Sequence, residues 1–216
     1  MKVAVRALAI ALFISASALA DSSTRHIVYL QPLGAELPDA DVAMVRAGLT
    51  GMYGLEVAIL PRVPLPRTAW YPKRERYRAE KILTYLDTLL PKDGVRILGL
   101  TGVDISTTKG EIEDWGVLGL GELPGASGVI SAFRCHKRSR SALNARERLA
   151  KVAVHEIGHT LGLPHCPTIG CLMRDAEGSV LSTDHEFDLC EKCRAQLSAS
   201  GRVLPSPPVL PWRVIK

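Results

Sequence analysis

The stretch "HEIGHTLGLPHCPTIGCLM", residues 155–173, gathers three histidines, a glutamate and two cysteines in nineteen positions. The chain from about Ser141 to Leu161 reads as one helix, stopped by Gly162 and Pro164. At roughly 100° per residue, His155 and His159 fall about 40° apart on one face, while Val154, Ile157 and Leu161 lie near the opposite side. Histidines four apart are neighbours on a helix and can reach one ion. His165 would sit roughly 9 Å beyond His159 if the helix simply continued. Gly162 removes that obstacle, because a glycine at a helix end adopts φ > 0 and folds the chain back. Three imidazoles on one zinc leave a fourth position for water, the arrangement of a catalytic site.

Glu156 supplies the matching chemistry. Zinc lowers the pKa of its water to about 7, and a carboxylate beside it accepts the proton as water attacks a carbonyl. The same carboxyl then returns the proton to the leaving amine. An amphipathic helix carries His-Glu-x-x-His by accident often enough to make the short motif modest. The longer His-Glu-x-x-His-x-x-Gly-x-x-His adds a helix stop and a third ligand where geometry requires them, and points to metal-assisted peptide hydrolysis. The rival reading is a catalytically inactive, zinc-stabilised binding protein of the same fold, which has no use for Glu156.

Five cysteines are present, and Cys166, Cys171, Cys190 and Cys193 form a Cys-x4-Cys and a Cys-x2-Cys pair eighteen residues apart. Such spacings suit a tetrahedral four-thiolate zinc. The N-terminus leaves a second possibility open. "MKVAVRALAIALFISASALA" has the basic, apolar and A-x-A regions of a secretory signal peptide, so residues 1–20 are expected to be removed and the domain to span 21–216. Export to a periplasm or the medium favours disulfides, in which Cys166 and Cys171 pair with Cys190 and Cys193. Cys135 is left over, a buried hydrophobe or an idle thiol.

The apolar run in the leader is too short for a membrane span, and no later segment approaches about 20 residues, so no membrane anchor is expected. The net charge of +5 loses Lys2 and Arg6 with the leader and becomes +3. The basic runs 72–81 and 134–148 also contain acids and little aromatic interleaving, which argues for solvated faces and against nucleic acid. The expected partner is a peptide or protein substrate, and the expected state a monomer.

Upstream, 26–30, 55–60, 95–100 and 128–134 read as strands, and 39–52 and 77–90 as helices. Residues 61–72 read as a proline-studded connection, 115–125 as a short strand entering a turn-rich loop, and the proline-rich tail as an extended wrap. Strands alternating with helices indicate a single compact α/β or α+β domain, a twisted mixed sheet packed on helices. Among lesser candidates, Asp104 reads as a turn cap and His185 as a neighbour of the cysteine site or, equally, a solvated loop histidine; Tyr71 and Tyr77 could steady an oxyanion, but nothing in their spacing selects either. "GVISAFR" or "WGVLGLG" could be an edge strand that holds an extended peptide.

From His155 to Cys193 the sequence resembles the archaemetzincins, a branch of the metzincin zinc peptidases. Their signature runs His-Glu-x-x-His-x-x-Gly-x-x-His-Cys-x4-Cys-x-Met, then a spacer and Cys-x-x-Cys. It falls here on His155, Glu156, His159, Gly162, His165, Cys166, Cys171, Met173, Cys190 and Cys193. The resemblance implies a metzincin-like fold and two zinc ions. The catalytic one would be held by the three histidines with Glu156 as general base, the structural one by the four cysteines. It also implies that Met173 lies in a turn beneath the catalytic metal. "RYRAEKILTYL", "ILGLTGVDI" and "GVISAFR" are similar to family segments more weakly. The chain departs from the pattern in a spacer of sixteen residues, one short of the usual, and in its leader.

Overall fold

The computed structural model describes residues 26–35 and 37–212; the expected leader lies outside them. A five-stranded sheet is built from β1 (Ile27–Leu33), β2 (Glu56–Ile59), β5 (Gly94–Thr101), β8 (Gly119–Gly121) and β9 (Ser127–Ser131). Its order is β2-β1-β5-β9-β8. The first four strands run parallel and β8 closes one edge antiparallel to β9. Parallel strands covered on both faces need apolar side chains on both, and "IVYLQPL" and "SGVIS" are buried almost throughout.

Alternation along β5 separates two cores. Leu98 and Leu100 face α1 (Asp39–Tyr53) and α4 (Ala142–Thr160). Ile97 faces Ile82 and Leu86 of α2 (Ala79–Leu89) on the other side. Ser141 caps α4 by accepting from the Asn144 N–H at 3.1 Å, and Tyr53 ties α1 to it by donating to the Val154 carbonyl at 2.7 Å. The tail lies on α1, with Leu210 and Trp212 buried. A Cβ at Gly51 would stand 1.8 Å from the Val209 carbonyl oxygen, so only glycine admits this contact.

A second sheet, of order β3-β4-β6-β7, was not legible in the sequence. It comprises β3 (Trp70–Tyr71), β4 (Arg76–Arg78), β6 (Ile105–Lys109) and β7 (Ile112–Val117). Its strands changed three expectations. The helix expected from Tyr77 starts at Ala79, because Tyr77 and Arg78 pair with Ile105 and Ser106. The connection 61–72 contains β3. "WGVLGLG" divides between two sheets, leaving only Leu118 between the end of β7 and the start of β8.

"GVISAFR" is not an edge strand. β9 lies between β5 and β8, and its extended run ends at Ser131, which caps the short α3 (Ala132–Cys135) by accepting from the Phe133 N–H. The free edge beside α4 is β8. The last helix, α5 (Glu191–Ala199), follows the Cys-x2-Cys segment.

Candidate metal centre and cleft

α4 carries His155 and His159 to the floor of a cleft of about 490 Å³. Gly162 takes φ +94° and turns the chain back, and the ligand atoms of His155, His159 and His165 then lie within 4.8 Å of one another. The Nδ1 of His155 donates to the Leu172 carbonyl at 2.7 Å, and that of His159 to the Leu163 carbonyl at 2.8 Å. A carbonyl only accepts, so each proton sits on Nδ1 and each Nε2 keeps its lone pair. The two Nε2 atoms face each other at 2.9 Å, close to the roughly 3.4 Å edge of a tetrahedron with zinc–nitrogen bonds of about 2.1 Å. Burial, reinforced by the charge of His159, pushes His155 down to about 3. At neutral pH it is therefore uncharged. Two facing lone pairs in a buried site fit a cation between them.

Nδ1 of His165 is 3.7 Å from an Asp175 carboxylate oxygen, and Lys109 reaches the same oxygen at 3.5 Å from the second sheet. Beside this bridge Gly178 lies against the Trp115 ring, where a Cβ would stand 2.9 Å from Cζ2. Met173 is fully buried under α4, its Sδ filling the space that a side chain at Gly158 would need.

Glu156 lies between α4 and β8, 6% exposed. Burial pushes its carboxyl up to about 8, and a hydrogen bond from the Gly121 N–H works against that rise. A cation at the three imidazoles would work in the same direction as that hydrogen bond, toward the carboxylate.

Cys166, Cys171, Cys190 and Cys193 converge next door, with sulfurs also within 4.8 Å of one another. The Cys166–Cys190 and Cys171–Cys193 sulfurs are each 3.7 Å apart. Four thiolates on zinc at about 2.3 Å define edges of about 3.8 Å, so the cage fits that ion. Burial pushes the Cys166 thiol up, but hydrogen bonds involving Thr168, Cys190 and Cys193 together outweigh it and bring it down to about 7. Burial and the neighbouring Cys171 push Cys193 up.

Residues 41–199 match peptidase family M54. The chain belongs to this family. It is 30% identical over 178 residues to the archaemetzincin of Natronomonas pharaonis, a match covering 79% of this chain and 98% of that protein. The crystal structure of the archaemetzincin of Archaeoglobus fulgidus, complexed with malonate, is 34% identical with a TM-score of 0.66, covering 79% of this chain and 99% of that one. That of Methanopyrus kandleri is 28% identical with a TM-score of 0.72, covering 84% and 98%. The protein is thus a zinc metallopeptidase of the archaemetzincin type, and its mixed sheets packed on helices are those of the archaemetzincin structures.

Other candidate residues lie away from the chemistry. Asp104 caps no turn: it accepts two hydrogen bonds from Arg134 and pairs with Arg76. The Tyr71 hydroxyl is directed to Glu113 and the Tyr77 ring packs on Trp70, so neither lines the cleft. His185 is exposed, with its carbonyl beside Gly170 of the cysteine loop. Cys135 is buried beneath Arg148, and burial pushes its thiol up to about 12, which makes it inert. Sequence reasoning marked the stretch holding Trp115, Gly119 and Gly121 as a candidate edge strand without singling out those residues, and missed Lys109, Lys151, Asp175 and Glu186; all seven line the cleft. Their local sequence carries no motif. Lys151 is on α4 itself, and strand pairing and loop closure bring the others to it.

Proposed function

We propose that His155, His159 and His165 hold the catalytic zinc of a peptidase in which Glu156 is the general base. Zinc held there supplies Lewis acidity toward a peptide carbonyl and toward water. Glu156 takes the proton of the attacking water and delivers it to the amine leaving the cleaved bond. The free edge of β8, paired only with β9 on its other side, offers backbone groups to an extended peptide.

The observation that carries this reading is the protonation pattern. Both helix histidines spend Nδ1 on backbone carbonyls and turn Nε2 toward a common point, beside a carboxyl on the cleft wall. The expected result for Glu156→Gln is full zinc content and no peptide cleavage. Cleavage at the wild-type rate would instead identify an inactive fold with adventitious hydrolysis.

The four cysteines hold a second, structural zinc, supported by their 3.7 Å sulfur spacings. The exported chain, beginning near Asp21 and acting in a periplasm or outside the cell, keeps these thiols on metal. Elemental analysis of the mature protein should find two zinc ions, with five thiols released under denaturing, chelating conditions. One zinc and one thiol would instead mean two disulfides.

A further inference from the structure

Glu156 is held against an edge strand that has no side chain at either point of contact. Gly119 pairs with Ile130 and Gly121 with Gly128; two residues apart, they share one face of the sheet, and both lie against Glu156 of α4. A Cβ on Gly119 would stand 2.5 Å from Oε1 of Glu156 and 2.6 Å from its Cγ. A Cβ on Gly121 would stand 2.5 Å from the Glu156 carbonyl oxygen and 3.3 Å from its Cα. The two positions therefore restrain different parts of one residue. Gly119 borders the movable carboxyl, and Gly121 borders the backbone of the helix while its own N–H holds the carboxyl.

We propose that Gly119 is a positioning residue for the catalytic base: its missing Cβ is the space in which the Glu156 carboxyl is held ready for the attacking water. This rests on the reading of Glu156 as general base. A methyl group at 119 is accommodated by rotation of the glutamate, the softest neighbour, so it displaces the carboxyl and leaves strand and helix in place. A methyl group at 121 has only backbone to push against, and separates β8 from α4.

The test uses the zinc-loaded mature protein and a pool of fluorogenic peptides, with zinc per chain and melting temperature measured on every variant. Gly119→Ala is expected to lower kcat about a hundredfold, the scale of a misplacement of about 1 Å, with KM within about twofold of wild type. Its zinc content and melting temperature stay at wild-type values, whereas Gly121→Ala lowers the melting temperature. Glu156→Asp shortens the base and opens the contact, so in that background Gly119→Ala should cost less than about tenfold, the mark of two coupled positions.

Wild-type kcat for Gly119→Ala while Glu156→Gln is inactive would overturn the proposal. So would equal losses in both backgrounds, or a Gly119→Ala chain that has lost zinc or fold. Cleavage by Glu156→Gln would remove the base reading itself, and the positioning role with it.

Discussion

Arg148 is the largest fully buried side chain of the described residues, 1% exposed, and Asp184 receives two of its hydrogen bonds at 2.7 and 2.8 Å. The guanidinium holds the Asp184 carboxyl well below the usual carboxylate range. A carboxyl whose folded pKa is depressed contributes stability above its unfolded pKa of about 3.9 and loses it as pH falls toward the folded value. Asp184→Asn leaves the buried cation without its counter-charge and is expected to cost about 3 kcal/mol at pH 7. The gap between wild type and variant should narrow below about pH 4, because only the wild type takes up that proton. Urea unfolding from pH 7 to pH 3 checks this, and a constant gap would contradict it.

Side-chain hydrogen bonds supplement the apolar packing between the elements around the site, and removing one should separate stability from metal binding. The Tyr53 hydroxyl holds α1 to α4 at the Val154 carbonyl, one residue before His155, in a fully buried contact. Tyr53→Phe is expected to cost about 1 kcal/mol in urea unfolding, with zinc content unchanged.

The cysteine loop has the opposite effect. Its Leu172 carbonyl orients His155, and the Leu172 N–H is itself held by the Asp188 carbonyl. On the proposed ligand sets, loosening the loop with Cys171→Ser should weaken zinc binding at the three histidines as well as at the four cysteines, by about 10–100-fold, the range for partners that orient a metal-binding histidine. Competition with a fluorescent chelator measures this, and unaltered affinity at the histidine site would show the two centres to be independent.

At the scale of the whole molecule, the tail closes the core over α1. The Trp212 ring lies on Gly48, and its Nε1 donates to the Phe187 carbonyl at 3.0 Å. Trp212→Ala is expected to cost about 3–5 kcal/mol in chemical denaturation. Peptide cleavage by the folded fraction should be unchanged, because Trp212 is not among the residues that line the cleft.

The sequence by itself determined the histidine-bearing helix, its glycine stop and the cysteine pairs, because those features depend on neighbours within a few residues. Helical periodicity sets His155 beside His159, and Ser141 and Gly162 mark the ends of α4 by local hydrogen bonding and backbone freedom. Only the tertiary structure decided which strand is an edge. β9 looks as suitable as β8 in isolation, yet it is interior, since strand order depends on partners far away in the chain. The second sheet was illegible for a related reason. β3 and β4 are two and three residues long, too short to show an alternating pattern, and gain strand character from cross-strand pairing. The glycines that press on Glu156 carried no signal either, because the need for an absent side chain arises from what another element places there.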